Sequence, residues 1–303
     1  MPSGSTQPEP LCSGFTYRLF AHSLETLPNV SQPGRVQNAL SFLRSILIFD
    51  PLIWLYTLVL ATLSLLSSLF DRSGRVQHGF ARLWSWLILK TAMCPVSVYG
   101  LETLDTANPR VYAVNHISAL DIPVLYVSLP MQFRIMAKRE LFRYPFLGWH
   151  LRRSGQIAVD VQDLPAPSPS GAGAVVTRGK INLASVRAVL NALRSGKSLV
   201  IFPEGGRSIT GQIKPFLSGG FYFAIKAGVE IVPMALVGTY EALPMNTFHI
   251  RPRRLQLIAG PPIPTSGYTV RQAEQLAARV QSEVEALYYA RAEVQRPAEA
   301  VKS

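Results

Sequence analysis

The chain has 303 residues, of which 48% are hydrophobic and only 16% are charged. Its 30 Lys and Arg residues against 18 Asp and Glu residues give a net charge of +12, which attracts anions. The basic residues form no long run and match no familiar nucleic-acid motif, so the composition argues against a nucleic-acid partner and favours a phosphorylated ligand at an anionic membrane surface. Two cysteines, Cys12 and Cys94, are too few for a disulfide framework or a cysteine metal site.

The first part of the chain changes from polar to apolar. Residues 1–33 are rich in Ser, Pro and small polar types without the pattern of a secretory signal, so they are predicted to form a loose tail. Residues 34–95 are predicted to be membrane-anchoring helices. Within them Pro51–Phe70 carries no charge and is long enough to cross a bilayer. The following segment, Phe80–Met93, mixes Trp and Leu with two basic residues, which is typical of a helix at a membrane interface.

Three arrangements of the apolar run Pro51–Phe70 are open from the sequence. It could be a buried core helix, a true span, or one arm of a helical hairpin that enters a single leaflet. Asp50, near the middle of the longer apolar stretch, favours a hairpin bent at Asp50–Pro51. In a true span the denser basic residues after Phe70 would keep the main domain in the cytoplasm. The expected location is the cytoplasmic face of the inner or cell membrane.

From residue 96 to residue 293 short apolar runs alternate with helical patterns, and residues 294–303 are a polar tail. The predicted strands are Val111–Val114, Phe133–Ala137, Ile157–Asp160, Ser198–Phe202, Ile231–Val237 and Arg254–Ala259. The predicted helices are Ile117–Val127, Leu183–Arg194, Gly219–Ala227 and Val270–Ala290. This alternation predicts an α/β domain, with a mixed sheet flanked by helices.

The pair His116 and Asp121 is the first candidate for chemistry. It follows a predicted buried strand and is expected to lie where Ile117–Val127 begins, with Asp121 a little over one turn into that helix. A neutral imidazole can take a proton from a hydroxyl, and a carboxylate can orient the ring and stabilise the imidazolium. Because the sequence places no Ser or Cys nucleophile beside the pair, direct attack by a substrate hydroxyl is the simplest chemistry. The competing interpretation is a structural or surface histidine.

A second block follows the strand that ends at Phe202. Glu204 and Arg207 stand three residues apart, and Gly205 and Gly206 allow the backbone to approach a ligand closely. The planar guanidinium of Arg207 suits phosphate oxygens. The competing interpretation is a turn with a solvated ion pair.

Together the two blocks resemble the glycerolipid acyltransferase family, which comprises the 1-acylglycerol-3-phosphate acyltransferases and their relatives. That family carries an Asn-His followed by an Asp five residues after the His, matched here by Asn115, His116 and Asp121. Its Phe-Pro-Glu-Gly-Thr-Arg-Ser block is matched by residues 202–208, with Gly206 in place of the Thr. Two more matches, which bring the similar region to residues 95–262, are Lys138–Leu141 with the following Pro145–Trp149, and Ile231–Ala235. Four blocks in one order are far more specific than any one of them.

The resemblance implies that His116 is the base and that Asp121 orients it. It also implies substrate contacts at Asn115, Lys138, Glu204, Gly205, Gly206 and Arg207, with Arg207 on the acceptor phosphate. The predicted reaction is transfer of an acyl group from acyl-CoA or an acyl-carrier protein to a lysophospholipid, most of all 1-acyl-sn-glycerol-3-phosphate. A thioester is already activated, so neither a metal nor a cofactor is expected.

One departure leaves the acceptor open. The family usually places an Arg that is thought to help hold the acceptor phosphate after the Asp corresponding to Asp160, whereas this chain has Val161 followed by a long loop, Gln162–Lys180. Two alternatives therefore stand beside the main prediction. One is an acyltransferase for a lyso-lipid without the glycerol phosphate, and the other is a membrane-anchored lipid-binding protein without turnover.

Overall fold

The structure is a computed structural model, and it describes residues 35–71, 73–144, 147–159 and 183–296. The chain divides into two compact units, residues 1–40 and residues 41–303. In the first unit residues 35–40 are described, and they are helical. The helices of residues 41–91 belong to the same compact unit as the α/β domain that follows them.

The described elements alternate as an α/β fold requires. The helices are α1 (Arg35–Arg44), α2 (Asp50–Ser67), α3 (Arg75–Thr91), α4 (Asp121–Ser128), α5 (Leu147–Arg153), α6 (Leu183–Arg194), α7 (Gly219–Ala227), α8 (Thr239–Ala242) and α9 (Ala273–Tyr289). A π-helical turn, Ser45–Phe49, joins α1 to α2, and 3-10 turns occupy Arg139–Arg143 and Val270–Gln272. The strands are β1 (Val96–Tyr99), β2 (Val111–Val114), β3 (Phe133–Lys138), β4 (Ile157–Val159), β5 (Ser198–Ile201), β6 (Ile231–Val237) and β7 (Leu255–Ala259).

The strands form one seven-stranded sheet in the order β1-β7-β6-β2-β5-β3-β4. Neighbouring strands are parallel except β6 and β7, which pair antiparallel. The predicted mixed sheet is therefore confirmed. The four central strands β2, β5, β6 and β7 are largely buried, which explains their near-continuous apolar runs. The edge strand β1 was not predicted, because its short sequence is only partly buried.

Helices cover both faces of the sheet. One apolar cluster lies on the face that carries α3 and α4, and it includes Leu89, Val124 and Leu125. The other lies on the face that carries α6, α7 and α9, and it includes Val189 and Leu276. The predicted arrangement of a sheet flanked by helices is thereby confirmed.

Two helix boundaries differ from the prediction. The helix expected over Ile117–Val127 begins only at Asp121, because residues 117 and 118 donate their backbone N–H groups to the Asp121 side chain instead of continuing a helix. The chain does not turn back at Asp50–Pro51 either. It stays helical there, and the π-helical turn before Asp50 makes room for the ring of Pro51, which has no N–H to donate. The reversal comes later, between α2 and α3, which pack on each other.

His78 on α3 is a buried histidine that is kept neutral. Its ring packs against Tyr126 and Phe133, with centroid distances of 5.2 Å and 5.1 Å, and neither ring nitrogen has a hydrogen-bond partner among the described residues. Burial lowers the pKa of His78 to about 4, helped by the positive charges of Arg82 and Arg134. The unfolded chain therefore takes up a proton at this site at a higher pH than the folded one.

We expect the pH dependence of stability to include a contribution from His78. Above its ordinary pKa of 6.5 the contribution is fully present. It declines as the pH falls from that value through the folded-state pKa, by at most about 3 kcal/mol. His78→Phe, which keeps the ring contacts and removes the titration, should flatten the loss between about pH 7 and about pH 5. Thermal unfolding of the detergent-solubilised protein would measure this, and equal pH slopes for the two proteins would rule the contribution out.

Candidate active site

The candidate site lies where parallel strands end side by side. β5 pairs with both β2 and β3 in parallel, so the carboxyl ends of all three strands meet at one edge of the sheet. His116 follows β2, Glu204 follows β5, and Lys138 is the last residue of β3. This edge is the usual position of ligand sites in open α/β sheets.

His116 and Asp121 form a hydrogen-bonded pair. The ring atom Nδ1 of His116 lies 2.8 Å from Oδ2 of Asp121. The same oxygen accepts the backbone N–H groups of Ile117 at 2.8 Å and Ser118 at 2.9 Å. Asp121 is fully buried at the first residue of α4, where the helix dipole favours a negative charge. The carboxylate therefore holds both the ring and the loop that carries it.

The pairing leaves Nε2 of His116 as the reactive nitrogen. A carboxylate oxygen at Nδ1 favours the tautomer with its proton on Nδ1, so Nε2 carries a lone pair. The histidine side chain is 18% exposed, and Nε2 has no hydrogen-bond partner within the described residues. Phe202 stacks on the ring at a centroid distance of 4.0 Å and an angle of 22°. The geometry suits a general base that reaches a hydroxyl from outside.

Glu204 supports His116 through the backbone. It is buried, and its Oε1 accepts the backbone N–H of His116 at 2.7 Å while its Oε2 accepts that of Lys214 at 3.0 Å. Burial raises the pKa of Glu204 to about 7, although both N–H groups act in the opposite direction. Because both oxygens are engaged with backbone, Glu204 is placed to position His116 instead of contacting the acceptor as the sequence suggested.

The Asn115 side chain also hydrogen-bonds to backbone groups, here those of Leu236. Its Nδ2 donates to the carbonyl oxygen of Leu236 at 3.0 Å, and its Oδ1 accepts the N–H of Leu236 at 2.7 Å. The residue is fully buried. Asn115 thus ties the end of β2 to β6 directly beside His116, and both ends of its amide are engaged with backbone.

The turn after β5 brings cations together. Gly205 has a φ of +71°, which favours glycine, and its N–H bonds the carbonyl oxygen of Phe202. Gly206 leaves space beside this turn: a Cβ atom there would lie 3.7 Å from Nζ of Lys138 and 3.9 Å from Nζ of Lys214. Two ammonium groups therefore converge on one glycine.

Arg207 continues this cationic group. Its carbonyl oxygen accepts a hydrogen bond from Nζ of Lys214 at 3.3 Å, and its side chain is partly exposed. Lys214 was missed in the sequence, because its nearest motif residue is several positions away and no local pattern marks it. Two ammonium groups at an open glycine, with Arg207 as the next residue, match the charge and hydrogen-bonding needs of a phosphate group.

The structure thus brings most of the predicted residues to one edge of the sheet. One predicted segment differs from the family pattern, and it lies outside the described residues: Asp160, Val161 and the loop Gln162–Lys180. Pro145 and Phe146 also lie outside them. In the described part of the chain no three His, Cys, Asp or Glu side chains are grouped so that they could hold a metal ion.

The site thus combines the edge of a mixed α/β sheet, a hydrogen-bonded His–Asp pair and a cationic turn. Comparisons with known proteins agree with the resemblance found in the sequence. A family model described as Acyltransferase matches residues 95–237. A 1-acyl-sn-glycerol-3-phosphate acyltransferase of Chlamydomonas reinhardtii is 29% identical over 286 residues, which is 91% of this chain and 78% of that protein. The chloroplastic 1-acyl-sn-glycerol-3-phosphate acyltransferase BAT2 of Brassica napus is 32% identical over 181 residues, or 59% of this chain and 48% of that protein.

A solved structure shares the fold. The crystal structure of the 1-acyl-sn-glycerophosphate acyltransferase PlsC from Thermotoga maritima superposes with a TM-score of 0.59 at 21% identity, covering 83% of this chain and 98% of that one. The family model and these relatives are the acyltransferases that the motifs of this chain resemble, so the resemblance found in the sequence is confirmed. The chain spans about half the length of the first curated relatives that it matches, 48% and 46%.

Proposed function

We propose that the protein is an O-acyltransferase that moves a fatty acyl group from a thioester donor to the free hydroxyl of a lysophospholipid, foremost 1-acyl-sn-glycerol-3-phosphate. The donor is acyl-CoA or an acyl-carrier protein. The observation that carries the proposal is the His116–Asp121 pair at the strand edge where Lys138, Arg207 and Lys214 gather. The names of the relatives support the same acceptor.

The reaction needs one base and no covalent enzyme intermediate. Nε2 of His116 takes the proton of the acceptor hydroxyl as its oxygen attacks the thioester carbonyl carbon. The new C–O bond forms, the C–S bond breaks, and the leaving thiolate takes the proton back from the imidazolium. Asp121 stabilises that imidazolium while it exists. Glu204 and Asn115 hold the backbone of residues 115 and 116, so the ring does not have to be ordered at the moment of reaction.

The cationic turn supplies the acceptor's phosphate contacts. Arg207 offers a planar fork, and Lys138 and Lys214 add point charges beside Gly206. Lys214 offers a rigidly attached alternative to the arginine that Val161 replaces, since its backbone is fixed by Glu204. This favours a phosphorylated acceptor over the phosphate-free lyso-lipid, which is the second candidate.

We expect Arg207→Ala to raise the KM for 1-acyl-sn-glycerol-3-phosphate by roughly tenfold to a hundredfold, because a charge-assisted hydrogen bond is worth about 1.5 to 3 kcal/mol. The KM for the acyl donor should change little. Arg207→Lys should restore only part of the loss, since an ammonium lacks the planar fork. Steady-state rates of the purified protein with a panel of lyso-acceptors would measure these effects.

The panel also decides between the candidate functions. A phosphate-free lyso-acceptor should be a poor substrate for the unaltered protein and should not be affected further by Arg207→Ala. An equal loss on both acceptors would contradict the phosphate role. Turnover of phosphate-free acceptors alone would establish the second candidate, and turnover of none would favour a lipid-binding protein.

We further propose that the apolar helix lies along the protein within one leaflet and does not cross the bilayer. Ala39–Ser67 is long and apolar enough to span, and only 6% of its most apolar window is buried. However, it is attached to the domain along its length. Ser45 near its start bonds the backbone of Phe248 and Ile250, and Ser64 near its end lies 3.2 Å from Nδ1 of His150.

The positions of these attachment points bear on how the apolar helix is oriented relative to the bilayer. Ser45 and Ser64 are separated by roughly 28 Å along a helix, which is close to the thickness of the hydrocarbon core. A perpendicular span would therefore draw polar backbone of the domain through that core, where each unpaired polar group costs several kcal/mol. Between these points Nε1 of Trp84 also donates to Oγ1 of Thr57, which holds α3 against α2. A helix embedded parallel to the surface, with the domain on the cytoplasmic face, avoids this cost.

Single cysteines on either side of the helix should be labelled from the same side of the membrane. Gly34→Cys and Arg75→Cys, each in a chain without Cys12 and Cys94, should both react with an impermeant maleimide applied to inside-out vesicles. Neither should react in sealed right-side-out cells, and both should react after detergent is added. Labelling of the two positions from opposite sides would establish a span.

A further inference from the structure

A cavity of about 480 Å³ lies away from the catalytic pair. The 3-10 turn Arg139–Arg143, helix α5 and strand β4 form its walls. The residues that line it are Arg139, Phe142, Arg143, Arg152, Gln156 and Ala158. Its volume is within the range of small-molecule sites, about 300 to 1,000 Å³.

The walls of this cavity are held by buried contacts. Gln156 accepts the backbone N–H of Ile135 at 2.7 Å with Oε1, and its Nε2 donates to the Tyr126 hydroxyl at 3.3 Å. Phe142 is buried. Helix α5 lies so close to the turn that a Cβ on Gly148 would be 2.2 Å from the carbonyl oxygen of Phe142. The glycine thus allows Arg152 on α5 to face the same space as the arginines of the turn.

The cavity is strongly cationic. Three of its six lining residues are arginines and none is acidic. Among the described residues no carboxylate forms an ion pair with Arg143 or Arg152. Arg143 and Arg152 place two guanidinium groups around one space, where they repel each other, and an anion with several oxygens would relieve that repulsion by bidentate hydrogen bonds.

The cavity and the cationic turn lie on opposite faces of the sheet. Ala158 faces the cavity, whereas its neighbours Ile157 and Val159 belong to the apolar cluster on the other face. Lys138 pairs in register with Val159 and so shares that other face, on which Nζ of Lys138 approaches Gly206. The arginine cavity is therefore a second anionic site and not an extension of the first.

The surroundings of the cavity point to a lipid. Four exposed apolar side chains lie on the 3-10 turn, on α5 and between them, with exposed fractions of 37% to 59%: Leu141, Tyr144, Leu147 and Trp149. Tyr and Trp among such residues are typical of the headgroup level of a membrane. Helix α5 packs on α2, the apolar helix, through His150 and Ser64. The arginines thus stand beside the surface that the embedded helix would hold against the bilayer.

We propose that this cavity binds the phosphate of a lipid at the headgroup level of the membrane. The proposal goes beyond acyl transfer, because lipid binding here needs no turnover. The lipid phosphate has two sources, the phosphomonoester of the acceptor or its acylated product and the phosphodiester of a bulk anionic lipid. Both would be held by the same guanidinium groups.

The test uses the full chain with Arg143→Gln and Arg152→Gln combined. A matched control, Arg153→Gln with Arg194→Gln, removes the same charge from exposed positions outside the cavity. Flotation with phosphatidylcholine vesicles would be compared with flotation on vesicles that also contain phosphatidate. Phosphatidate should strengthen binding of the unaltered and control proteins, and the cavity variant should lose most of that gain, roughly tenfold or more. Equal losses in both variants would show an effect of net charge alone and would overturn the proposal.

Two further arms identify the lipid and separate this proposal from the enzymatic one. Lysophosphatidate and phosphatidylglycerol would each replace phosphatidate. A cavity-dependent gain with lysophosphatidate only supports the phosphomonoester source, and a gain with phosphatidylglycerol as well supports the bulk lipid. If the cavity variant instead showed unchanged flotation and a raised KM for acyl-CoA or acyl-carrier protein, the cavity would serve the donor and the proposal would fail. A cavity-dependent gain in a protein without acyl transfer would sustain the lipid site and reject the proposed function.

Discussion

His116→Ala is expected to lower the rate of acyl transfer by roughly two to four orders of magnitude, the usual loss when a general base is removed. The reason is that Asp121 holds Nδ1 of His116, which leaves Nε2 of the partly exposed ring as the nitrogen that can take a proton. The fold should persist, because the Glu204 contact to residue 116 uses its backbone N–H and not its ring. Thiol release from the acyl donor, followed with a thiol reagent, would measure the rate directly.

A second histidine serves as the control for this experiment. His249 lies away from the strand edge and contacts Ser41 and Phe42. His249→Ala should keep most of the transfer rate when both variants are assayed in the same detergent. If His116→Ala also kept most of the rate, His116 would not be the base.

Asp121→Asn is expected to reduce kcat by roughly two to four orders of magnitude while the KM for the acceptor stays nearly unchanged. An amide oxygen can still accept the N–H groups of Ile117 and Ser118, so the loop should remain in place. The amide carries no charge to stabilise an imidazolium. If its NH2 group turned towards His116, it would also favour the tautomer in which Nε2 is protonated and cannot act as a base.

The separation of kcat from KM is the decisive measurement for Asp121. Asp105→Asn is a suitable control, since Asp105 is a loop carboxylate that also accepts a backbone N–H but lies outside the site. A rise in KM with unchanged kcat would mean that Asp121 contacts the acceptor. A large fall in the melting temperature would instead give it a role in stability.

The structure shows that the two charged residues of the second motif, Glu204 and Arg207, make different contacts. Glu204 and Arg207 look equivalent in the sequence, as two charged side chains on one turn. In the fold the Glu204 carboxylate points inward to two backbone N–H groups, whereas Arg207 stays partly exposed beside Lys214. Glu204 therefore holds the backbone of His116, and in the proposed function Arg207 remains the residue that meets the acceptor phosphate.

Local patterns were sufficient to predict six of the seven strands, most of the helices and the His116–Asp121 contact. Buried parallel strands such as β2 and β5 are short continuous apolar runs, and turn residues mark where they end. His116 and Asp121 are only five residues apart, so their contact depends on one loop. The order of the motifs was enough to recognise the resemblance to a family, because four blocks in one order are far more specific than any one of them.

Tertiary structure alone decided how the distant parts combine. The bond from Glu204 to the backbone of His116 joins residues 88 positions apart, and the approach of Lys214 and Lys138 to Gly206 depends on the parallel pairing of β3 with β5. Hydropathy showed that the segment around Pro51–Phe70 is apolar, but not that hydrogen bonds at both of its ends lay it along the domain. Nor could it place the arginines of the 3-10 turn and α5 around one cavity. Such contacts form because packing of the apolar faces of the sheet and helices brings segments together that are distant in sequence. Local sequence patterns do not predict which polar groups then come into contact.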